Sequence, residues 1–322
     1  MRFLKSEAGA VVFWVISSIL LAAAIVPWIY NAGMDLAAEA QAKELSPILE
    51  SIGKSAARAD LDRYFSRALL LSVLVLLPVF LLRLRQIRRS SPREASVKAE
   101  PLPWKTRLLD ICTAFVIAAG SLWILGTTLQ HFGAFFSRPD APAVSKLFSK
   151  AVIPALGAAV VEEWLFRGLL LGIWLRVAKP VPAIVGTSLL FAFVHFMQPP
   201  ADAAIANPGQ IFAGFHLLGL IFLNFTDPGF IAAEFAVLFT LGLLLASTRV
   251  RTGSLWFPIG LHAGLVFAFK AFNLYHKASP DSALRPLWIG DSLRSGVLPV
   301  LTLLVMGLIC WPILRNRGRV RK

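Results

Sequence analysis

The sequence predicts an all-α fold, a polytopic membrane bundle of about eight transmembrane helices with one re-entrant or interfacial segment. Three observations predict it. The chain of 322 residues is 57% hydrophobic and only 16% charged, against roughly 45–50% and about 25% in soluble domains. Its mean hydropathy is +0.70. Its apolar residues fall into separate runs of ~17–25, the length that crosses a bilayer.

The first run, 9–30, follows Arg2 and Lys5 and is longer than the ~7–15-residue apolar region of a cleaved signal, so it reads as a retained signal-anchor helix. Residues 31–65 are polar and lean acidic, with helical spacing, and read as an external helical excursion at or near the membrane surface. The second run is 67–83. The basic loop after it (Arg83, Arg85, Arg88, Arg89, Arg93, Lys98, Lys105, Arg107) marks the cytoplasmic side. Run three is 108–129. Run four, 147–177, ends at Arg176 and Lys179. Run five is 182–198.

Residues 211–225 are apolar but short. If they crossed, Arg249, Arg251 and the C-terminal cluster from Arg315 to Lys322 would lie outside, so they read as the re-entrant or interfacial segment. Runs six to eight are 230–248, 254–273 and 296–314. Both termini are then cytoplasmic, in a cell-membrane protein. The domains read as 1–107, a two-helix membrane region with its excursion and basic loop, and 108–322, the main bundle.

The net charge of +14 raises nucleic acid as a partner. The basic residues flank apolar runs instead of interleaving with aromatics on a nucleic-acid-binding fold, so no nucleic acid is expected. Membrane lipid is. Cys112 and Cys310 both lie in apolar runs and suggest neither a disulfide framework nor a thiolate metal site.

The chemistry concentrates in run four, at Val160-Val161-Glu162-Glu163-Trp164-Leu165-Phe166-Arg167. Ionisable residues at membrane depth face a bundle interior or a water-filled cavity and mark function. Glu163 and Arg167 are four apart, in the favourable order for a helical ion pair, and pairing lowers the penalty of burying both charges. Glu162 points ~100° away. The two glutamates are therefore not expected to face one partner, and Glu162 is left as a free carboxylate suited to general-base work on water. The plainer alternative is that both serve packing or an ion pathway.

Run five supplies Phe191 and His195 on one face. Run seven supplies His262, flanked by Gly260, Ala263 and Gly264, which permit close helix approach. Either histidine alone is as readily an interior hydrogen-bonder as a catalyst. Measured from their cytoplasmic ends at ~1.5 Å per residue, Glu162, His195 and His262 lie ~21, ~20 and ~13 Å deep, compatible with one layer. His216 and Glu234 are weaker candidates, and His131 and His276 sit at segment ends. The sequence carries no His-Glu-x-x-His zinc motif, no Gly-x-Ser-x-Gly elbow and no phosphate loop.

Glu-Glu-x-x-x-Arg, then Phe-x-x-x-His, then a late His together resemble the CPBP family. This is the group of CAAX prenyl endopeptidases, bacteriocin-processing proteins and lysostaphin resistance protein A-like proteins. The resemblance covers about 147–270 and implies an eight-helix bundle enclosing an intramembrane endopeptidase site without a cofactor or metal. It implies that Glu162 activates the hydrolytic water and that His195 positions or deprotonates it. His262 would stabilise the oxyanion, with Glu163, Arg167 and Phe191 shaping the site. The implied partner is a peptide or membrane-protein substrate, with or without a lipid modification.

One position departs from the family pattern. Asn or Asp usually stands four residues after the third-motif His, and here Val266 does. Loss of one oxyanion donor costs about 2.7–4 kcal/mol in other enzymes. A catalytically impaired scaffold or immunity protein of the same fold is therefore an alternative. A zinc site made by Glu162, His195 and His262 is another. A proton-coupled transporter is a third, although no inverted repeat is visible.

Overall fold

The computed structural model describes residues 6–43, 46–90, 102–197, 205–285 and 287–319. Arg2, Lys5, Arg93, Lys98, the end of run five at 198, Arg321 and Lys322 lie outside the described residues. The chain is helical almost throughout, and six helices are long and apolar enough to cross a membrane: Glu7–Ala42, Leu61–Ile87, Trp104–His131, Pro228–Thr252, Trp256–Tyr275 and Val297–Arg315. The other two expected crossings are helical over 148–174 and at Pro180–His195. The protein is a multi-pass, all-α membrane bundle.

Contacts divide it into two units, Met1–Ser96 with Phe196–Asp227, and Val97–His195 with Pro228–Lys322. In the first, α1 (Glu7–Ala42) is capped by Ser6, whose hydroxyl accepts from the Gly9 N–H at 3.0 Å. It does not stop near Tyr30. At ~1.5 Å per residue its 36 residues span about 54 Å, well beyond the ~30 Å hydrocarbon layer. The stretch 31–42 holds five alanines and no proline, so its helix propensity carries the helix past the apolar run.

Helix α2 (Pro47–Ala57) folds back so that Gly53 lies against Ala40 and the Leu36 carbonyl. Helix α3 (Leu61–Ser90) starts earlier and ends later than the apolar run 67–83. Its Tyr64 fits over Gly33 and donates to the Ala56 carbonyl at 3.1 Å. Helix α8 (Ala213–Leu223) meets α1 where Gly214 approaches the Ala23 carbonyl. Its 11 residues span about 16 Å, too short to cross, in keeping with a re-entrant or interfacial segment.

The second unit is organised by α11 (Trp256–Tyr275). One face packs on α4 (Trp104–His131), with Gly260 against Ile111 and Ala114, and Gly264 against Phe115 and Ala118. On another, Ile259 and Ala263 meet Ala159 of α5 (Ile153–Glu163). Two π-helical turns, Phe148–Val152 and Trp164–Leu170, flank α5, and α6 (Leu171–Trp174) completes the run.

Helix α7 (Pro180–His195) returns with Gly186 under the Trp174 ring and Ser188 against Gly242 of α10 (Ala236–Thr252). A one-turn helix, α9 (Pro228–Phe230), and a π-helical turn, Ile231–Phe235, lead into α10. Gly253, at φ 63°, ends α10 in the left-handed conformation that glycine adopts without penalty. Helix α12 (Val297–Arg319) packs on α10.

The only strands among the described residues are β1 (Phe135–Ser137) and β2 (His276–Ala278), paired antiparallel. The segment leading to Arg138 is therefore tied to the end of α11. Beside it Arg138 donates to Asp140 at 2.8 and 3.2 Å, which holds the exposed Asp140 carboxyl below its usual range.

Close α4–α11 packing implies intolerance at Gly264. A side chain there meets the Phe115 carbonyl and the Ala118 methyl. Gly264→Leu is expected to destabilise by ~1–3 kcal/mol through overpacking, read as a lower thermal midpoint in detergent. An unchanged midpoint would contradict the packing described.

Candidate active site

The site lies wholly in the second unit, where α5, α7 and α11 converge. Glu162 and Glu163 are the last two residues of α5, and the π-helical turn begins at the next residue. Such turns hold an extra residue per turn and recur at functional sites. Arg167 lies within it.

The Glu163 and Arg167 side chains are 0% and 2% exposed, with Nη1 2.8 Å from Oε1. The pair expected from spacing therefore forms, fully buried. It has a third member. His262 Nδ1 lies 2.8 Å from the same Glu163 Oε1. A carboxylate only accepts, so the Nδ1 of His262 carries a proton and donates it there. Arg167 also directs Nη2 toward the Gly242 carbonyl, at 3.5 Å, and sets its guanidinium 4.2 Å from the Phe191 ring centroid.

Glu162 differs by being accessible. Its side chain is 28% exposed, and its Oε2 faces His195 Nε2 at 3.2 Å and His262 Nε2 at 3.9 Å. No hydrogen bond of good geometry reaches that buried oxygen. His195 Nδ1 lies 2.7 Å from the Phe191 carbonyl, which can only accept, so the proton of the neutral ring sits on Nδ1. Its Nε2 then faces the Glu162 carboxylate, on the same oxygen that His262 Nε2 approaches.

Phe191 is fully buried at the centre. Its ring lies 4.4 Å from that of His195 and 6.2 Å from that of His262, and its edge meets Phe166 at 5.1 Å.

All six residues singled out in the sequence, Glu162, Glu163, Arg167, Phe191, His195 and His262, are thus brought together. One expectation fails. The two glutamates do share a partner, because the imidazole of His262 presents Nδ1 to Glu163 and Nε2 to Glu162, and its width spans the angle between them. His216 is exposed on α8 of the first unit, while Glu234 and His131 are exposed in the second. His276 is half-buried and stacks on Phe272 at 4.1 Å. Val266 is half-buried one turn after His262.

Two participants carried no side-chain signal, the carbonyls of Phe191 and Gly242. The first is foreshadowed by the four-residue step from Phe191 to His195. The second joins residues 75 apart in sequence. Among the described residues, no group of three or more His, Cys, Asp or Glu side chains is arranged to hold a metal ion.

A carboxylate and two imidazoles inside apolar helices put this multi-pass protein in the class of membrane proteins with a polar interior site. Residues 144–268, well under half of the chain, match the family model described as "Type II CAAX prenyl endopeptidase Rce1-like", which makes that part similar to the CPBP family of CAAX-type membrane proteases. No curated protein and no solved structure matches the chain.

Removing either member of the buried pair strands the other charge, at about 3–5 kcal/mol. Glu163→Ala and Arg167→Ala are therefore expected to lower abundance and thermal midpoint well below those of Glu162→Gln, measured side by side in membranes and in detergent. Equal values in all three variants would remove the structural role of the pair.

Proposed function

We propose that the protein is an intramembrane endopeptidase that hydrolyses a peptide bond with a water activated by Glu162. The observation that carries this is an accessible carboxylate, 28% exposed, flanked by two imidazole Nε2 atoms at 3.2 and 3.9 Å in an otherwise apolar bundle. The substrate class is a peptide or membrane protein, with or without a lipid modification. The chemistry belongs to about 147–270.

In this reading the Glu162 carboxylate takes a proton from water as the oxygen attacks the carbonyl carbon. His195, anchored through Nδ1 to the Phe191 carbonyl, holds its Nε2 toward Glu162 and the water. Negative charge develops on the carbonyl oxygen. His262 stabilises it by donating from Nε2, which requires the imidazolium form. The Glu163 carboxylate accepts from Nδ1 of that form in a charge-assisted hydrogen bond, and Arg167 holds Glu163 in place. The C–N bond then breaks as the proton held by Glu162 passes to the departing amine. Glu163 is therefore a positioning residue as well as half of a structural pair.

By the positive-inside rule we place both termini in the cytoplasm of a cell-membrane protein. Arg83, Arg85 and Arg89 at the end of α3, Arg176 and Lys179 between α6 and α7, and Arg249 and Arg251 at the end of α10 then share one side.

Val266 favours a second reading, a catalytically impaired scaffold or immunity protein of the same fold. Valine offers no oxyanion donor where the family pattern has Asn or Asp. Val266→Asn is expected to raise turnover by about 10²-fold or more if that donor is what the site lacks. No gain would mean that the position is not limiting.

Comparative membrane proteomics of wild type against Glu162→Gln tests the main reading. Peptide termini that depend on the wild type are expected to fall by 10²–10⁴-fold, the usual contribution of a general base. If no terminus depends on Glu162, the protease reading falls. Cleavage is also expected to withstand strong chelators, and its loss on chelation with recovery on added Zn²⁺ would replace the glutamate mechanism by a zinc one.

A further inference from the structure

Helices α1 and α3 run antiparallel, with Trp14 opposite Phe80 and Gly33 opposite Tyr64. Between them opens a groove of about 540 Å³, lined among others by Phe13, Trp14, Ser17, Val79, Phe80 and Arg83. That volume falls within the ~300–1,000 Å³ range of small-molecule sites. The lining is apolar except for two features. Trp14 stacks flat on Phe80 at 4.6 Å and forms the floor with it. Ser17 contributes a hydroxyl. Arg83 stands exposed at one end, where its guanidinium reaches only Gln86 among the described residues, at 3.5 Å.

The spacing of these groups selects the occupant. Arg83 lies three residues beyond Phe80, ~4.5 Å along the axis, and the headgroup layer outside the hydrocarbon is ~5–7 Å thick on each side. A phosphate at Arg83 therefore puts an acyl chain along Phe13, Leu76 and Val79. Arg85 and Arg89 are exposed on the next turns of α3, and Glu7 opens α1, so the described charge at this end is net positive.

We propose that this groove seats one anionic phospholipid, its phosphate on Arg83 and a chain over the Trp14–Phe80 stack. The site lies outside residues 144–268 and does not depend on the protease reading.

The test is native mass spectrometry of the full chain in detergent with phosphatidylglycerol or phosphatidylcholine. The wild type is expected to retain one phosphatidylglycerol about fivefold more strongly than phosphatidylcholine, the contribution of one basic residue near an anionic headgroup. Arg83→Gln removes that preference, whereas Arg85→Gln, about 200° away on α3, keeps it. Ser17→Phe fills the groove and lowers retention of both lipids. Equal retention of the two lipids by the wild type would overturn the proposal. So would equal losses in the two arginine variants, which indicate a diffuse basic end. A lipid-free dimer that Ser17→Phe dissociates would make the groove an interface between copies of the chain. If Ser17→Phe does not fold, the two arginine variants decide.

Discussion

One oxygen holds this site together. Glu163 Oε1 accepts from Arg167 and from His262, each at 2.8 Å, in a volume sealed from solvent. Three ionisable groups at that depth are tolerable only as a set, because each answers the charge or hydrogen-bonding need of another. The constraint also crosses the fold. It fastens the junction of α5 and its π-helical turn to α11, and through the guanidinium it reaches the α10 backbone and the Phe191 ring on α7. The helices that carry the chemistry are thereby held by the group adjacent in sequence to the carboxylate that would perform it.

Adjacent glutamates thus end in opposite environments. Glu163 is saturated with donors on one oxygen and closed to water. Glu162 keeps partial exposure and faces two imidazoles whose other nitrogens are already committed, one to the Phe191 carbonyl and one to Glu163. With each Nδ1 engaged, both rings present Nε2 toward the same oxygen. Two second-row acceptors, a main-chain carbonyl and a carboxylate, thereby set the tautomers of both histidines, and a change in either acceptor would alter the site without touching Glu162.

Much of this was legible because lipid imposes simple rules. Apolar runs of bilayer length located the spans, and the four-residue steps Glu163–Arg167 and Phe191–His195 were readable as shared faces. The limits are equally physical. Hydropathy marks where lipid ends and not where a helix ends, so α1 running on to Ala42 left its trace only in the propensity of the stretch after Tyr30. Helical-wheel geometry treats a side chain as a direction. It could not anticipate that a flat ring arriving from α11 would touch both Glu162 and Glu163. The short β1–β2 pairing joins residues about 140 positions apart with three on each side, too few for an alternating pattern to register.

The π-helical turn at Trp164–Leu170 has a consequence for how this region can vary. It stores one residue more than an α-helix of the same rise. Losing one position beyond Arg167 would let the turn relax to ordinary α geometry with the helix downstream close to its place, including the Trp174 ring on which Gly186 rests. The stretch therefore behaves as a spacer with one residue in reserve, tolerant of conservative replacement at its lipid-facing positions such as Trp164, whereas one further peptide unit would find no slack and would turn the helix beyond it by ~100°.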